Sequence, residues 1–193
     1  VLFLMGCAWF NSAPLGGDSS LVKYDTIASH TAQVAALKHW GFTGKLAVKK
    51  GGEGLSVRMS WYQNDSDYSV SFRNFLLGEV FSIEKSNSLF VVDEGQGARY
   101  EVESGSEFLR ERFGFVFPES SIPFWLKGIP APIDHISEGG PGIDGRYRDF
   151  SQSGWWVTIT EYDERSKPPL PRKIKIANGQ LELSIVVNEW RFY

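Results

Sequence analysis

Residues 55–62 read Leu-Ser-Val-Arg-Met-Ser-Trp-Tyr, and their pattern decides the fold. Large apolar side chains occupy every second position from Leu55 to Trp61, with Ser or Arg between them. Successive side chains of a β-strand point to opposite faces of a sheet, so this alternation predicts a strand with one buried face. The same period of two returns at residues 68–73 after a polar turn, which predicts an antiparallel hairpin.

Runs of β-forming residues continue on both sides of this hairpin, separated by short turn clusters. They lie at residues 42–49, 79–85, 89–93, 98–102, 146–150, 155–162, 172–177 and 180–191. Asn178-Gly179, between the last two runs, is typical of a tight hairpin turn. We therefore expect a mainly β domain with an antiparallel sheet of about ten to eleven strands. A sheet of this size curls toward a barrel, whose interior can hold an apolar ligand.

Three helices are predicted beside the sheet. The first is an amphipathic helix over residues 18 to about 40, with apolar positions at three- and four-residue spacing and Gly41 at its end. The second, residues 104–114, opens with the capping box Ser-Gly-Ser-Glu and ends in Gly. The third, residues 121–128, has Pro near its start and Gly at its close, as expected of a short helix.

The composition limits the class of protein. The chain has 193 residues, of which 42% are hydrophobic and 15% aromatic, and this suits one β-rich domain with a large core. Its net charge of −3 gives no electrostatic reason to expect nucleic-acid binding. Cys7 is the single cysteine, so neither an intramolecular disulfide nor a thiolate metal cluster is possible.

The residues before Cys7 resemble the end of a bacterial lipoprotein signal peptide. The run Val1–Met5 is apolar, and Leu4-Met5-Gly6-Cys7 resembles a lipobox, which predicts lipidation of Cys7. A buried N-terminal strand with a free thiol is the alternative. No later run approaches the roughly 18 apolar residues of a membrane-spanning helix. We divide the chain into the end of a signal peptide, a lipidated cysteine with a polar tether, and one folded domain, at residues 1–6, 7–17 and 18–193.

The turn between the third and fourth predicted strands is unusual. Asn74 and Gly78 stand at its edges, but Phe75, Leu76 and Leu77 form its tip, where turns normally carry polar residues. With an anchor at the start of the chain, such a tip can reach a bilayer. Alternatively, it folds back and plugs the mouth of the barrel.

Residue types that carry catalysis are scattered. The three histidines have no metal-ligand spacing, and residues 140–145 match G-x-G-x-x-G but lead into a strand rather than a helix. We therefore expect no enzyme activity, no metal and no cofactor. Four aromatic residues are candidates for lining an acyl-chain cavity, although each would equally suit the core: Trp61, Phe72, Trp125 and Trp156.

The domain resembles the LolB family of outer-membrane lipoprotein receptors over nearly its whole length. The W-x-x-G-x-P and Q-x-G-W segments, in this order, are the most specific signals. The matching segments are Trp40–Lys49, Val57–Trp61, Asp67–Val70, Leu77-Gly78, Phe124–Pro130, Gln152–Val157, Leu170–Ile174 and Trp190.

This resemblance implies an incomplete antiparallel β-barrel around an apolar cavity, closed by helices as a lid. It also implies a monomer that is anchored through Cys7 at the periplasmic face of a Gram-negative outer membrane. Such a protein accepts acylated lipoproteins from the periplasmic carrier LolA and inserts them into outer-membrane lipids without nucleotide hydrolysis. Ala8 follows the cysteine at the position where, in many species, an Asp would favour retention in the inner membrane, so it agrees with an outer-membrane destination.

Within the resemblance, the tip with residues Phe75, Leu76, Leu77 and Gly78 is the membrane-insertion loop, and the protruding Leu corresponds to Leu77. This turn lacks the Pro of many relatives and is one residue longer, so Leu76 and Leu77 both remain candidates. The alternative functions are a lipid-anchored sensor or scaffold that holds a regulatory lipid and, more weakly supported, a lipid or envelope hydrolase.

Overall fold

The computed structural model describes residues 28–74, 78–95, 97–114, 118–133, 135–142 and 144–193. Eleven antiparallel strands form one sheet in the order β6-β5-β4-β3-β2-β1-β11-β10-β9-β8-β7. The strands are β1 His39–Lys50, β2 Glu53–Asn64, β3 Asp67–Asn74, β4 Gly78–Ser86, β5 Leu89–Asp93, β6 Arg99–Val102, β7 Glu138–Pro141, β8 Tyr147–Gln152, β9 Trp155–Asp163, β10 Leu170–Ala177 and β11 Leu181–Phe192. The helices are α1 at residues 28–35, α2 Gly105–Phe113 and α3 Ile122–Leu126.

The sheet has two wings that meet at its middle. From β1 the chain steps outward to β6, crosses α2 and α3, and returns from β7 inward to β11. We call β2–β6 the first wing and β7–β10 the second wing; the pair β1 and β11 joins them. Among the described residues no ladder links β6 to β7, so the predicted incomplete barrel is confirmed.

The alternation in β2 has the predicted effect. Val57, Met59 and Trp61 are buried, while Arg58 and Ser60 are exposed. Apolar side chains of the other strands point to the same concave face, where α2 and α3 cover them. The concave face is therefore where a ligand site can form.

A glycine in β1 allows the sheet to bend at the join of the wings. The register of β1 against β11 shifts between Thr43 and Gly44. A Cβ atom at Gly44 would lie 2.5 Å from the carbonyl oxygen of Val186, so only glycine fits without a backbone shift. Such irregularities increase strand bending, which helps the two wings to face each other.

The two lid helices are as predicted. The hydroxyl of Ser104 accepts a hydrogen bond from the Glu107 N–H at 3.2 Å, which caps the start of α2. Gly114 ends α2 in the left-handed conformation, with φ of 70°. Pro123 lies in the first turn of α3.

The N-terminal helix does not extend to Trp40 as predicted. Helical structure ends at residue 35, and Trp40 lies in β1, opposite Gln63 of β2. The indole is 1% exposed, because it packs against Trp61 and Trp190. Burial in the sheet thus overrides the helical spacing. The start of the predicted helix, Cys7, the tether and the tip residues 75–77 lie outside the described residues.

The short edge strand β7 was not predicted from the sequence. Its residues include Gly139, Gly140 and Pro141, which are poor strand formers, and β7 overlaps the start of the glycine-rich segment that was predicted to be a loop. A Cβ atom at Gly139 would lie 2.6 Å from the carbonyl oxygen of Asp149. Close approach of β8 therefore requires glycine there, and an edge position tolerates the proline.

Candidate functional site

An apolar cavity of about 190 Å³ lies between the concave face and the helices. The strands that contribute to it are β1–β4, β10 and β11, and their inward positions supply most of the wall. The lining side chains from the sheet are Leu46, Val48, Leu55, Val57, Met59, Trp61, Tyr68, Val70, Phe72, Phe81, Ile83, Ile176, Leu183 and Ile185. Leu109 of α2 and Ile122 and Leu126 of α3 close it from the other side.

The cavity has an apolar rim at one end of the sheet. Leu55 lines the cavity and is nevertheless 55% exposed. Arg58 of β2 pairs with Arg73 of β3, one residue before Asn74, so Leu55 lies at the end that carries the β3–β4 turn. The rim and the strand ends at Asn74 and Gly78 therefore share one end of the sheet.

Two of the four aromatic candidates line the cavity. Trp61 stacks between Trp40 and Tyr68, with ring centroids 6.3 and 4.9 Å away, and its indole N–H donates to Gln63 at 3.0 Å. Phe72 stacks on Phe81 at 4.6 Å. These contacts hold both rings as fixed parts of the wall. Their contact with acyl chains stays a prediction.

Trp125 lies elsewhere, contrary to the expectation that it lines this cavity. It is fully buried, and its indole N–H donates to Gln152 Oε1 at 2.8 Å. The Ala131 N–H donates to the same oxygen at 2.9 Å, and Gln152 Nε2 donates back to the Ala131 carbonyl at 2.8 Å. Trp125 therefore fixes α3 and the following loop to β8.

Trp156 does not line the cavity either. The alternation of β9 turns Trp155 inward, at 5% exposure, and Trp156 outward, at 39%. Adjacent residues of a strand cannot both face the interior, so the Trp-Trp pair supplies one core residue and one surface residue.

Lys127 is a buried cation that the sequence analysis did not single out. It is 4% exposed, and its Nζ donates to the carbonyls of Val34 and Leu37 at 3.2 and 3.1 Å. The ammonium also lies 5.6 Å from the Trp40 ring centroid. Burial lowers the pKa of Lys127 to about 8. The only feature of the sequence that indicates burial of Lys127 is its place directly after the apolar residues 124–126.

Glu119 brings a carboxyl group into the apolar wall. It accepts hydrogen bonds from the Ser106 N–H and the Tyr68 hydroxyl, and Lys85 is nearby. Burial raises the pKa of the Glu119 carboxyl, while the charge of Lys85 and the two hydrogen bonds oppose this effect. Burial, together with Glu119, also raises the pKa of Tyr68. Nothing in the sequence around Glu119 indicated this position.

A groove of about 900 Å³ with a mixed apolar and charged wall continues from the cavity at the end opposite the rim. Its wall contains Lys38, Asp65, Lys85 and Lys127 beside Phe124. Tyr68, Ser106 and Glu119 line both the groove and the cavity, and we call these three residues the throat.

The described residues contain no group of three or more His, Cys, Asp and Glu side chains that could hold a metal. His30 hydrogen bonds to the Pro169 carbonyl at 2.9 Å, and His39 lies 3.5 Å from Asp65. In the part of the chain that the structure describes, no helix has the length and hydrophobicity needed to span a bilayer.

Comparison with known proteins decides the family. A family model described as "Outer membrane lipoprotein LolB" matches residues 38–190. The chain belongs to the LolB family. The outer-membrane lipoprotein LolB of Pseudomonas putida is 27% identical over 192 residues, covering 99% of this chain and 92% of its own. The outer-membrane lipoprotein LolB of Pseudomonas aeruginosa is 28% identical over 190 residues, covering 97% of this chain and 90% of its own. The predicted family and outer-membrane location of this LolB-family protein are thereby confirmed.

Solved structures agree on the fold. A LolA superfamily protein from Nitrosomonas europaea superimposes with a TM-score of 0.57 at 7% identity, covering 88% of this chain and 93% of that one. A DUF1329 family protein from Desulfovibrio piger gives a TM-score of 0.52 at 9% identity, with 91% and 93% coverage. At such identities the likeness concerns the fold alone, an open antiparallel sheet with a helical lid.

Proposed function

We propose that this protein accepts acylated lipoproteins from the periplasmic carrier LolA and inserts them into the outer membrane. The observation that carries the proposal is the cavity, whose wall is apolar except for the throat. Dry apolar cavities of roughly 150 Å³ already bind small hydrocarbons, so a cavity of this character suits part of an acyl chain. No catalytic step or nucleotide is required.

Transfer without a fuel follows from the energetics of acyl chains. Each CH₂ group removed from water contributes about 0.8 kcal/mol, so a multiply acylated protein needs a shield in the periplasm. The bilayer is the final sink, because it buries all chains completely. Lipidation of Cys7, as we propose, holds the receptor beside that sink and raises the effective concentration of the acceptor.

The β3–β4 turn is suited to the insertion step. The ladder reaches Asn74 and Gly78, so residues 75–77 connect the two strands at the rim end of the sheet. We propose that Phe75, Leu76 and Leu77 enter the bilayer beside Gly78. Burying one such side chain contributes roughly 1.5–3 kcal/mol, which permits reversible contact.

The test follows a radiolabelled lipoprotein from purified LolA to this protein and then to liposomes. Leu76→Glu and Leu77→Glu should leave the first step unchanged and slow the second. Leu89→Glu is the matched control, because Leu89 is 44% exposed at the β4–β5 turn and away from the rim. Normal delivery by both tip variants would refute the insertion role. Absence of the first step in the wild type would refute the receptor role.

A further inference from the structure

The throat joins an almost wholly apolar space to a space whose wall also carries charged side chains. On one side lies the cavity, with aliphatic and aromatic walls; on the other lies the groove, with Lys38, Asp65, Lys85 and Lys127. A molecule that suits both spaces is apolar at one end and carries polar or charged groups at the other. Its polar junction would then lie beside Tyr68, Ser106 and Glu119.

Glu119 has the chemistry of a hydrogen-bond acceptor at this junction. Its two hydrogen-bond partners among the described residues, the Ser106 N–H and the Tyr68 hydroxyl, are donors. An ionised carboxylate offers about four lone-pair sites, so two donors do not exhaust it. A further N–H donor in the throat would complete the shell of this half-buried group, and charge-assisted hydrogen bonds of this kind are strong.

The position of the throat is fixed by its neighbours. Tyr68 stacks on Trp61 at 4.9 Å, and Trp61 in turn stacks on Trp40. A Cβ atom at Gly105 would lie 3.0 Å from the Phe90 ring and 3.4 Å from Glu119 Oε2, so the start of α2 packs tightly against this carboxylate. A carboxylate that is hydrogen-bonded to a stacked tyrosine and packed against α2 loses little entropy when it binds a ligand.

We propose that Glu119 accepts a hydrogen bond from the amide N–H of the N-acylated cysteine of a lipoprotein, with part of an acyl chain in the cavity and its polypeptide in the groove. This inference rests on the proposed function and adds the group that the receptor recognises. An acylated cysteine has this sequence of parts: hydrocarbon chains, a junction with an amide N–H, and then a peptide. A phospholipid or fatty acid lacks the peptide and the amide N–H at that point.

The experiment measures binding of two synthetic probes by fluorescence displacement. One is a short-chain triacylated cysteinyl peptide below its micelle concentration; the other is identical except that its N-acyl amide is N-methylated. Wild-type protein should bind the N–H probe about tenfold more tightly, the effect of one hydrogen bond to a charged group. Glu119→Gln should reduce this ratio to within about twofold. Glu103→Gln, an exposed change of equal charge, should retain it.

The steric effect of the N-methyl group is the same in the wild type and in each variant, so it cancels when their ratios of affinity for the two probes are compared. Equal binding of both probes by wild-type protein overturns the inference, and so does an undiminished ratio in Glu119→Gln. If wild-type protein binds neither probe nor hexadecanol, the proposed function fails. Binding of hexadecanol and of both probes without preference would leave the proposed function intact and refute only the hydrogen bond between the amide N–H and Glu119.

Discussion

The two wings of the sheet use the same concave face in opposite ways. Beneath the second wing the face is solid, because Trp125 of α3 packs against Trp155 and holds Gln152 in a closed set of hydrogen bonds. Beneath the first wing the concave face is hollow, because the cavity that Val57 and Phe72 line lies there. Stabilising contacts and the empty volume of the cavity therefore lie in separate halves of one core.

The helices explain the difference. α3 contributes three buried side chains from five residues: Ile122, Trp125 and Leu126. α2 is nine residues long, with Glu and Arg among them, and the leucine that it turns toward the cavity is only half-buried. A helix of such composition covers the cavity without filling it.

Four substitutions test this difference between the wings, and the one with the largest expected loss of folding stability comes first.

Trp125→Ala should lower the free energy of unfolding by about 3–5 kcal/mol, because it empties the solid half of the core. Trp156→Ala is the matched control. Its side chain is 39% exposed on the other face of the sheet, so the loss should stay below about 1 kcal/mol. Urea unfolding followed by circular dichroism measures both. Similar losses for the two variants would contradict the assignment of Trp125 as the anchor of the lid.

Gly44→Ala should destabilise the protein by about 1–3 kcal/mol at the join of the wings, because its Cβ atom would lie 2.5 Å from a carbonyl oxygen of β11. Gly54→Ala should have little effect, since the closest atom to a Cβ there is 3.9 Å away. Thermal unfolding distinguishes them. A Gly44 variant as stable as Gly54→Ala would show that the join adapts freely.

Lys127→Met should change how stability depends on pH. The folded-state pKa of Lys127 is about 8 and lies below its ordinary value of 10.5. The unfolded chain therefore binds more protons between these values, and stability rises as pH increases through this window. From pH 7.5 to 9 we expect the wild type to gain at most about 1 kcal/mol relative to the variant.

The control for this pH effect is Lys38→Met, because Lys38 is 68% exposed and should keep the wild-type slope. Urea titrations at several pH values give the slopes. Parallel plots of unfolding free energy against pH for wild type and Lys127→Met would mean that burial does not lower the pKa of Lys127.

Val57→Phe should leave the free energy of unfolding within about 0.5 kcal/mol, because the larger ring enters empty space. Val157→Phe, at a fully buried position of β9 in the solid half, should lose about 1–3 kcal/mol. Binding of an acyl probe should fall at least about tenfold in the first variant and persist in the folded fraction of the second. Equal destabilisation of both would show that the first wing is as tightly packed as the second.

The sequence predicted features that depend on local chemistry. The alternation in residues 55–62, the cap at Ser104 and the Asn178-Gly179 turn all appear in the structure, because each depends on neighbours in the chain. The hydroxyl of Ser104 and the amide of Asn178 need partners only three residues away.

Features that depend on distant contacts could not be predicted. Trp40 is drawn into β1 by Trp61 and Trp190, and Lys127 is buried because α1 presents carbonyls to it. Glu119 enters the wall through contacts with Tyr68 and Ser106 that no spacing reveals. The adjacent tryptophans at 155 and 156 also show that residue type alone does not decide which side faces the core.

The pairing of β1 with β11 has a consequence for how the protein is made. It joins residues as distant in the chain as Trp40 and Phe192, so the middle of the sheet is completed only after the last strand is available. Such long-range pairing folds slowly. A truncated chain would present two bare strand edges at its centre and would aggregate or be degraded. The cavity, which residues of β11 help to line, thus forms only in a chain that has been synthesised to its final strand.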